Sequence, residues 1–249
     1  MAYEVLDTDA FDQTESSGAA ITVPANTTMV IASMAGEFSP AGPYDNVFNI
    51  DSKASEKAIS FSVFSDNNHT IAYMTNPSVG EQTLTWSVRN YIHIFLAYVR
   101  GLDLVSPVND TSVGSQSSND GISLTVDCED GEFVWHSIAS QANTSKWGLS
   151  SDVVVGEFVC NSGGSSGGYS IGVSPSINKG ASNPGSDSEW SMAGASFKLA
   201  PAGSPKMILV MSKIWDRVQE NRKKLGIGDL GNFGLSGGLW KPNQGLATI

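Results

Sequence analysis

The sequence predicts an all-β fold, a two-sheet antiparallel β-sandwich of jelly-roll type, followed by a C-terminal α-helix and an extended glycine-rich tail. Three observations predict it. Apolar residues alternate with Ser and Thr at period 2 as far as about residue 200. Turn signals such as Asp66-Asn67-Asn68, Asn76-Pro77, Asn119-Asp120-Gly121, Asp130-Gly131 and Asn183-Pro184-Gly185 interrupt these runs. A helical period begins only after Pro201. Ten or so short strands at that spacing fill two packed sheets.

Taken in order, strands are predicted over residues 28–34, 44–50, 58–64, 70–74, 82–88, 91–99, 122–128, 131–138, 153–160, 169–173 and 192–199. In one of them Leu84, Trp86 and Val88 face one way while Thr83, Thr85 and Ser87 face the other, as a half-buried antiparallel strand requires. Residues 91–99 (Tyr-Ile-His-Ile-Phe-Leu-Ala-Tyr-Val) are apolar on both faces, and their β-branched and aromatic content marks a central strand. Asp130-Gly131, between two alternating runs, has the form of a tight hairpin. Residues 161–168 (Asn-Ser-Gly-Gly-Ser-Ser-Gly-Gly) read as a mobile surface loop. No internal repeat is visible.

From Pro201 the pattern changes. Ser204 suits a helix cap, Pro205 the first helical position and Gly226 the end. Within that frame Met207, Met211, Ile214, Trp215 and Val218 fall on one face, and Arg222, Lys223 and Lys224 occupy the last turn, where the helix dipole favours cations. Residues 226–249 hold 7 Gly in 24 positions yet carry Leu230, Phe233, Leu235, Leu239 and Trp240. Apolar anchors on glycine joints suit a segment ordered by a partner rather than a flexible linker. The division is therefore a sandwich over residues 1–203 that folds without the remainder, an amphipathic helix over 204–225 and a docking tail over 226–249.

Composition narrows the function. Charged residues are 16% of the 249, against a usual ~25%, and 36 Ser with 13 Thr take their place. Residues 1–203 carry 7 Lys+Arg against 22 Asp+Glu, whereas residues 204–249 carry 7 against 3. An acidic body argues against nucleic acid as the main partner, since phosphate contacts need clustered cations. No run of 18 apolar residues supports a membrane-spanning helix, and residues 1–20 lack the basic and apolar regions of a secretory signal, so synthesis in a cytoplasm is expected.

Motifs for chemistry are sparse. His69, His93 and His136 have no second His or Cys at metal-ligand spacing, and read as packing or surface histidines. Gly-x-Ser-x-Gly is absent, and residues 163–168 have neither the Lys nor the strand-to-helix setting of a phosphate loop. Asp127, Glu129, Asp130 and Glu132 form the densest carboxylate cluster. It reads as a solvated turn, with a Ca²⁺ site or a glycosidase acid/base pair as the alternatives. Cys128 and Cys160 read as buried free thiols, with a disulfide as the alternative. Trp147 and Trp190 are the indoles expected to be exposed enough to stack on a sugar. No catalytic residue, metal or cofactor is assigned.

Residues 71–86 (Ile-Ala-Tyr-Met-Thr-Asn-Pro-Ser-Val-Gly-Glu-Gln-Thr-Leu-Thr-Trp) resemble the "Asn-Pro-x-x-Gly, then Thr-Val-Thr strand" segment of β-sandwich modules in bacteriophage structural proteins. Residues 98–108, ending in Ser-Pro-Val, and 189–201, closing on Ala-Pro, are similar to later parts of those modules. The resemblance spans roughly residues 20–201. It implies a virion-associated, non-enzymatic sandwich, and the helix and tail lie outside it. From the residues themselves the expectation is a capsid or tail component that meets other virion proteins, as a symmetric homo-oligomer, through the stripe and anchors named above. The alternative from another class is a carbohydrate-binding module for host surface glycans.

Overall fold

Two successive stretches of the chain wind the same pair of sheets. The computed structural model describes residues 2–13, 18–37, 48–63, 67–86, 92–116, 121–141, 148–160, 163–182, 190–201, 233–236 and 239–242. The first stretch supplies β1 (Glu4–Gln13), β2 (Gly18–Val23), β3 (Met29–Glu37), β4 (Phe48–Ile50), β5 (Lys53–Ala54), β6 (Glu56–Val63), β7 (Asn67–Thr75), β8 (Gly80–Trp86) and β9 (Ile92–Arg100). They form a five-stranded sheet, β1-β9-β3-β7-β6, and a four-stranded sheet, β2-β8-β4-β5. The second supplies β10 (Val108–Gln116), β11 (Ile122–Asp127), β12 (Phe133–Gln141), β13 (Gly148–Leu149), β14 (Val153–Cys160), β15 (Gly163–Ile171), β16 (Ser176–Ser182) and β17 (Trp190–Phe197). Their sheets are β10-β17-β12-β15-β14 and β11-β16-β13. With the two-residue β5 set aside, the two orders agree strand for strand.

The all-β expectation holds, and the sandwich is present twice. The sequence does contain an internal repeat, contrary to the expectation of none. Residues 5–23 align without a gap on 108–126 with seven identities: Val5/Val108, Asp7/Asp110, Thr8/Thr111, Gln13/Gln116, Gly18/Gly121, Thr22/Thr125 and Val23/Val126. Geometry repeats with them. The ladder of β1 on β9 shifts register between Val5 and Asp7, and that of β10 on β17 shifts between Val108 and Asp110. In each half Thr-Ala partners follow, Thr8 with Ala97 and Thr111 with Ala195.

Burial shows why the inner strands are apolar on both faces. One core lies between the two sheets of the first half, with Val30, Met34, Phe48, Leu84, Trp86, Ile94 and Tyr98 among its members. A second, with Met29, Ile31, Phe95, Phe133, Trp135, Ala195 and Phe197, draws on both five-stranded sheets. A third, with Leu124, Val126, Val134, Ile138, Trp190 and Met192, fills the second half. The four sheets therefore stack with the five-stranded pair in the middle. Successive residues of β3, β9, β12 and β17 enter different cores, so neither face carries the polar residues that mark solvent. β9 lies second in its sheet, with β3 at the centre, which corrects its expected position. Its double-sided burial comes from the layer it occupies.

Across the middle, β3 packs on β12, β7 on β17, β9 on β15, β6 on β10 and β1 on β14. The third strand of one half meets the third of the other, and the remaining strands exchange roles. This is the contact pattern of a two-fold axis, here within one chain.

Two further readings change. Asp130-Gly131 joins β11 to β12, which lie in different sheets, so the turn is a corner between layers rather than a hairpin. Residues 163–168, read as part of a mobile loop, belong to β15, and Gly164 through Gly168 are buried.

Residues Pro201–Ile249 form a second compact unit. In it β18 (Phe233–Ser236) and β19 (Leu239–Pro242) pair antiparallel, with Leu235 opposite Trp240 and Phe233 opposite Pro242. The helix expected over 204–225, with Met207, Met211, Ile214, Trp215 and Val218, lies outside the described residues, as does Leu230.

Candidate functional site

The chemistry-bearing side chains that the fold brings together lie in the seam between the five-stranded sheets. His93 on β9 and His69 on β7 both pair with Ala35 of β3. Opposite them, Ser191 on β17 and Ser165 on β15 both pair with Ala139 of β12. The two rows meet in register. His93 Nδ1 lies 2.5 Å from Ser165 Oγ, and His69 Nδ1 lies 3.2 Å from Ser191 Oγ. Ala35 and Ala139 are equivalent residues of the third strands, so the two His–Ser pairs are related by the internal two-fold.

Around His93 the residues have the composition of a hydroxyl–imidazole–carboxylate relay. Its Nε2 lies 3.2 Å from Asp12 Oδ1, and its ring centroid is 5.2 Å from that of Phe158. Access decides what this can do. Ser165 is 1% exposed and His93 3%, closed between two sheets, so the hydroxyl has no room for a substrate. The contacts instead join the halves. Burial lowers the His93 pKa, with Asp12 opposing it, and burial pushes His69 down to about 3, opposed by a hydrogen bond to the Ile138 backbone.

The seam is also short of hydrogen-bond partners. Ser33 Oγ, Ser137 Oγ, Trp135 Nε1 and His69 Nε2 are buried without one. Ser33 and Ser137 are equivalent residues of β3 and β12, on the alternating positions that face the seam. Each such group carries a desolvation cost of about 1–3 kcal/mol. His136 lies elsewhere, in the core of the second half, with both ring nitrogens unpartnered and its pKa pushed down to about 3 by burial.

The acidic cluster serves the corner between β11 and β12. Glu132 is 3% exposed and accepts from Glu129 N at 3.1 Å and from Asn109 Nδ2 at 3.0 Å. Asp130 Oδ1 accepts from Ser174 N at 2.8 Å, and Gly131 takes the left-handed backbone (φ 83°) that the turn requires. Among the described residues no group of three or more His, Cys, Asp or Glu is arranged to hold a metal ion. Glu132→Ala is expected to cost about 1–3 kcal/mol, because it removes both part-buried hydrogen bonds of the corner to a buried carboxylate. Urea denaturation with and without a chelator checks this, with the midpoint expected to fall for the variant and to stay put on chelation.

A cleft of about 470 Å³ lies between β1, β2 and β8, lined by Asp7, Asp9, Phe11, Ile21, Thr22 and Glu81 among others. Asp9 Oδ2 there accepts from Tyr98 Oη at 2.6 Å. Three carboxylates make the cleft unsuited to anionic ligands.

Of the two candidate indoles, Trp190 is 1% exposed within the third core, which corrects its expected exposure, and Trp147 lies outside the described residues. Cys128 is a buried free thiol whose Sγ lies 3.6 Å from Val173 O, and the side chain of Cys160 lies outside the description. Sequence reasoning missed the pairing of His69 and His93 with serines. The one signal is His93 inside the run of β9 that is buried on both faces; β7, β15 and β17 each carry several polar residues, and nothing in them singles out His69 or the two serines.

No protein-family model, curated protein or solved structure matches the chain.

Proposed function

We propose that this protein is a non-enzymatic structural component of a tailed-phage particle, a tandem jelly roll fixed to its neighbours through residues 204–249. The observation that carries the reading is the winding. In each half the first strand pairs with the last, the last with the third, and the third with the seventh or its equivalent, while the second, fourth and eighth or their equivalents form the opposing sheet. That is the double Greek key of a jelly roll, an architecture used by viral capsid and lectin domains. The segments resembling phage modules fall on β7–β8, on the link from β9 to β10, and on β17. An acidic body with a basic terminal segment supports docking through charge as well as through Leu230, Phe233, Leu235, Leu239 and Trp240.

Glycan binding is the weaker reading. Lectins share the winding, but the stacking role left to Trp190 is lost with its burial.

Particles assembled with the chain truncated after Lys224 test the proposal. Occupancy is expected to fall at least tenfold when Trp240 and its neighbours are missing, since buried indoles dominate such interfaces. Normal occupancy would remove the tail as the anchor, and absence of the full-length chain from purified particles would remove the virion reading itself.

A further inference from the structure

We propose that the seam between the two sandwiches is an acid-released joint, with His69 as its trigger and His93 as its brake.

The geometry singles out this plane. Each half keeps a core of its own, which the seam does not share. The two halves are joined covalently only through the link from Arg100 to Val108, whose Asp103 and Gly101 backbones bond to Lys198 and Ala200. Among the described residues the seam combines two cross-sheet His–Ser contacts with the unpartnered Ser33, Ser137, Trp135 and His69 atoms, beside the apolar second core. It is the boundary at which separation frees buried polar groups to meet water, without dismantling either sandwich.

The two histidines differ in what faces them. His93 is met by Ala35 from β3, Phe158 from β14, Ser165 from β15 and the carboxylate of Asp12 from β1. A proton on His93 finds an opposite charge 3.2 Å away and an aromatic ring beside it. His69 is met by Ala35 from β3, Ser191 from β17 and the backbone of Ile138 on β12. Among the described side chains of β3, β6, β12 and β17 no carboxylate faces it, the side chain of Glu37 on β3 lying outside the description. A proton on its Nε2 creates an unpaired charge in a fully buried place, and separation of the sheets relieves it. Acid thus favours the parted state through His69, while Asp12 holds His93 in place.

Small-angle scattering and far-ultraviolet circular dichroism on the full chain, from pH 7.5 to 4.5, test this. The radius of gyration is expected to rise below about pH 6 while the β-sheet spectrum persists. His69→Gln is expected to lower the midpoint of that rise by about one pH unit, and Asp12→Asn to raise it. A constant radius overturns the proposal, as does loss of the spectrum together with the expansion, or a wild-type midpoint in His69→Gln. Should that variant fail to fold, imidazole NMR of the unaltered protein decides. Protonation of His69 confined to the expanded form supports the joint, and protonation near pH 6.5 in the unexpanded protein overturns it.

Discussion

Gly167→Val is expected to destabilise the protein by about 3 kcal/mol, the upper end of the usual cost of overpacking. A Cβ at Gly167 would sit 2.6 Å from Phe95 Cγ and 2.7 Å from Phe95 Cβ. Those atoms are the root of the ring rather than a flexible end, so they cannot swing aside. Phe95 itself is fully buried, stacks on Phe158 at 5.5 Å and has Gly156 pressed against its other side. The glycines of β14 and β15 therefore let a phenyl ring from the opposite sheet lie almost on the backbone. Phe95→Ala alone is expected to cost about 3–5 kcal/mol by leaving a cavity. Combining the two should cost clearly less than their sum, because the valine enters the space the ring leaves. Urea denaturation of both single variants and the double variant measures the coupling. Additive losses would mean that residue 167 and Phe95 do not compete for the same volume.

That contact also explains where sequence reasoning succeeded and failed. Strands with one polar face, such as β8 and β11, announce themselves by alternation, and their burial follows it. β9 announced burial on both faces, but a chain segment does not say whether its second face meets another part of the same half or a second sandwich. β1, β10 and β16 were missed because they are rich in Asp, Ser, Asn and Gly. β1 carries Asp7, Asp9 and Asp12 at the edge of its sheet, where charge guards an open ladder rather than marking a loop. The Gly-Ser run of β15 looked like a linker because composition alone cannot separate glycine that frees a backbone from glycine that admits a neighbour. The repeat was present in Val5-Leu6-Asp7-Thr8 and Val108-Asn109-Asp110-Thr111, yet elsewhere the halves diverged in apolar residues that each layer selects separately. Of the seam, the histidines were legible as packing residues. Their serine partners were not, since they lie 72 and 122 residues away.

Acid is expected to weaken the whole fold through His136 in a way that a single substitution halves. The unfolded imidazole takes up a proton near pH 6.5, whereas burial holds the folded group neutral down to about 3. Between those values the unfolded chain binds a proton that the folded protein refuses, so stability falls as pH falls, by about 1.4 kcal/mol per unit for each such group. While the seam stays closed His69 shares this value, so from pH 6.5 to pH 5 the two together remove about 3 kcal/mol from the closed protein relative to the unfolded chain. His93 adds in the same direction, restrained by Asp12. Measurement between pH 7 and 5 stays above the range in which Asp152, whose pKa is lowered partly by Lys179, gains its proton. His136→Leu removes an imidazole whose two nitrogens have no partner, and the equivalent residue of β3 is the apolar Ala32. The variant should therefore match or exceed the parent in stability at pH 7 and lose about half of its acid slope. Urea midpoints at pH 7, 6 and 5 give both slopes. An unchanged slope in His136→Leu would mean that the folded protein already protonates this residue, and that water reaches the third core.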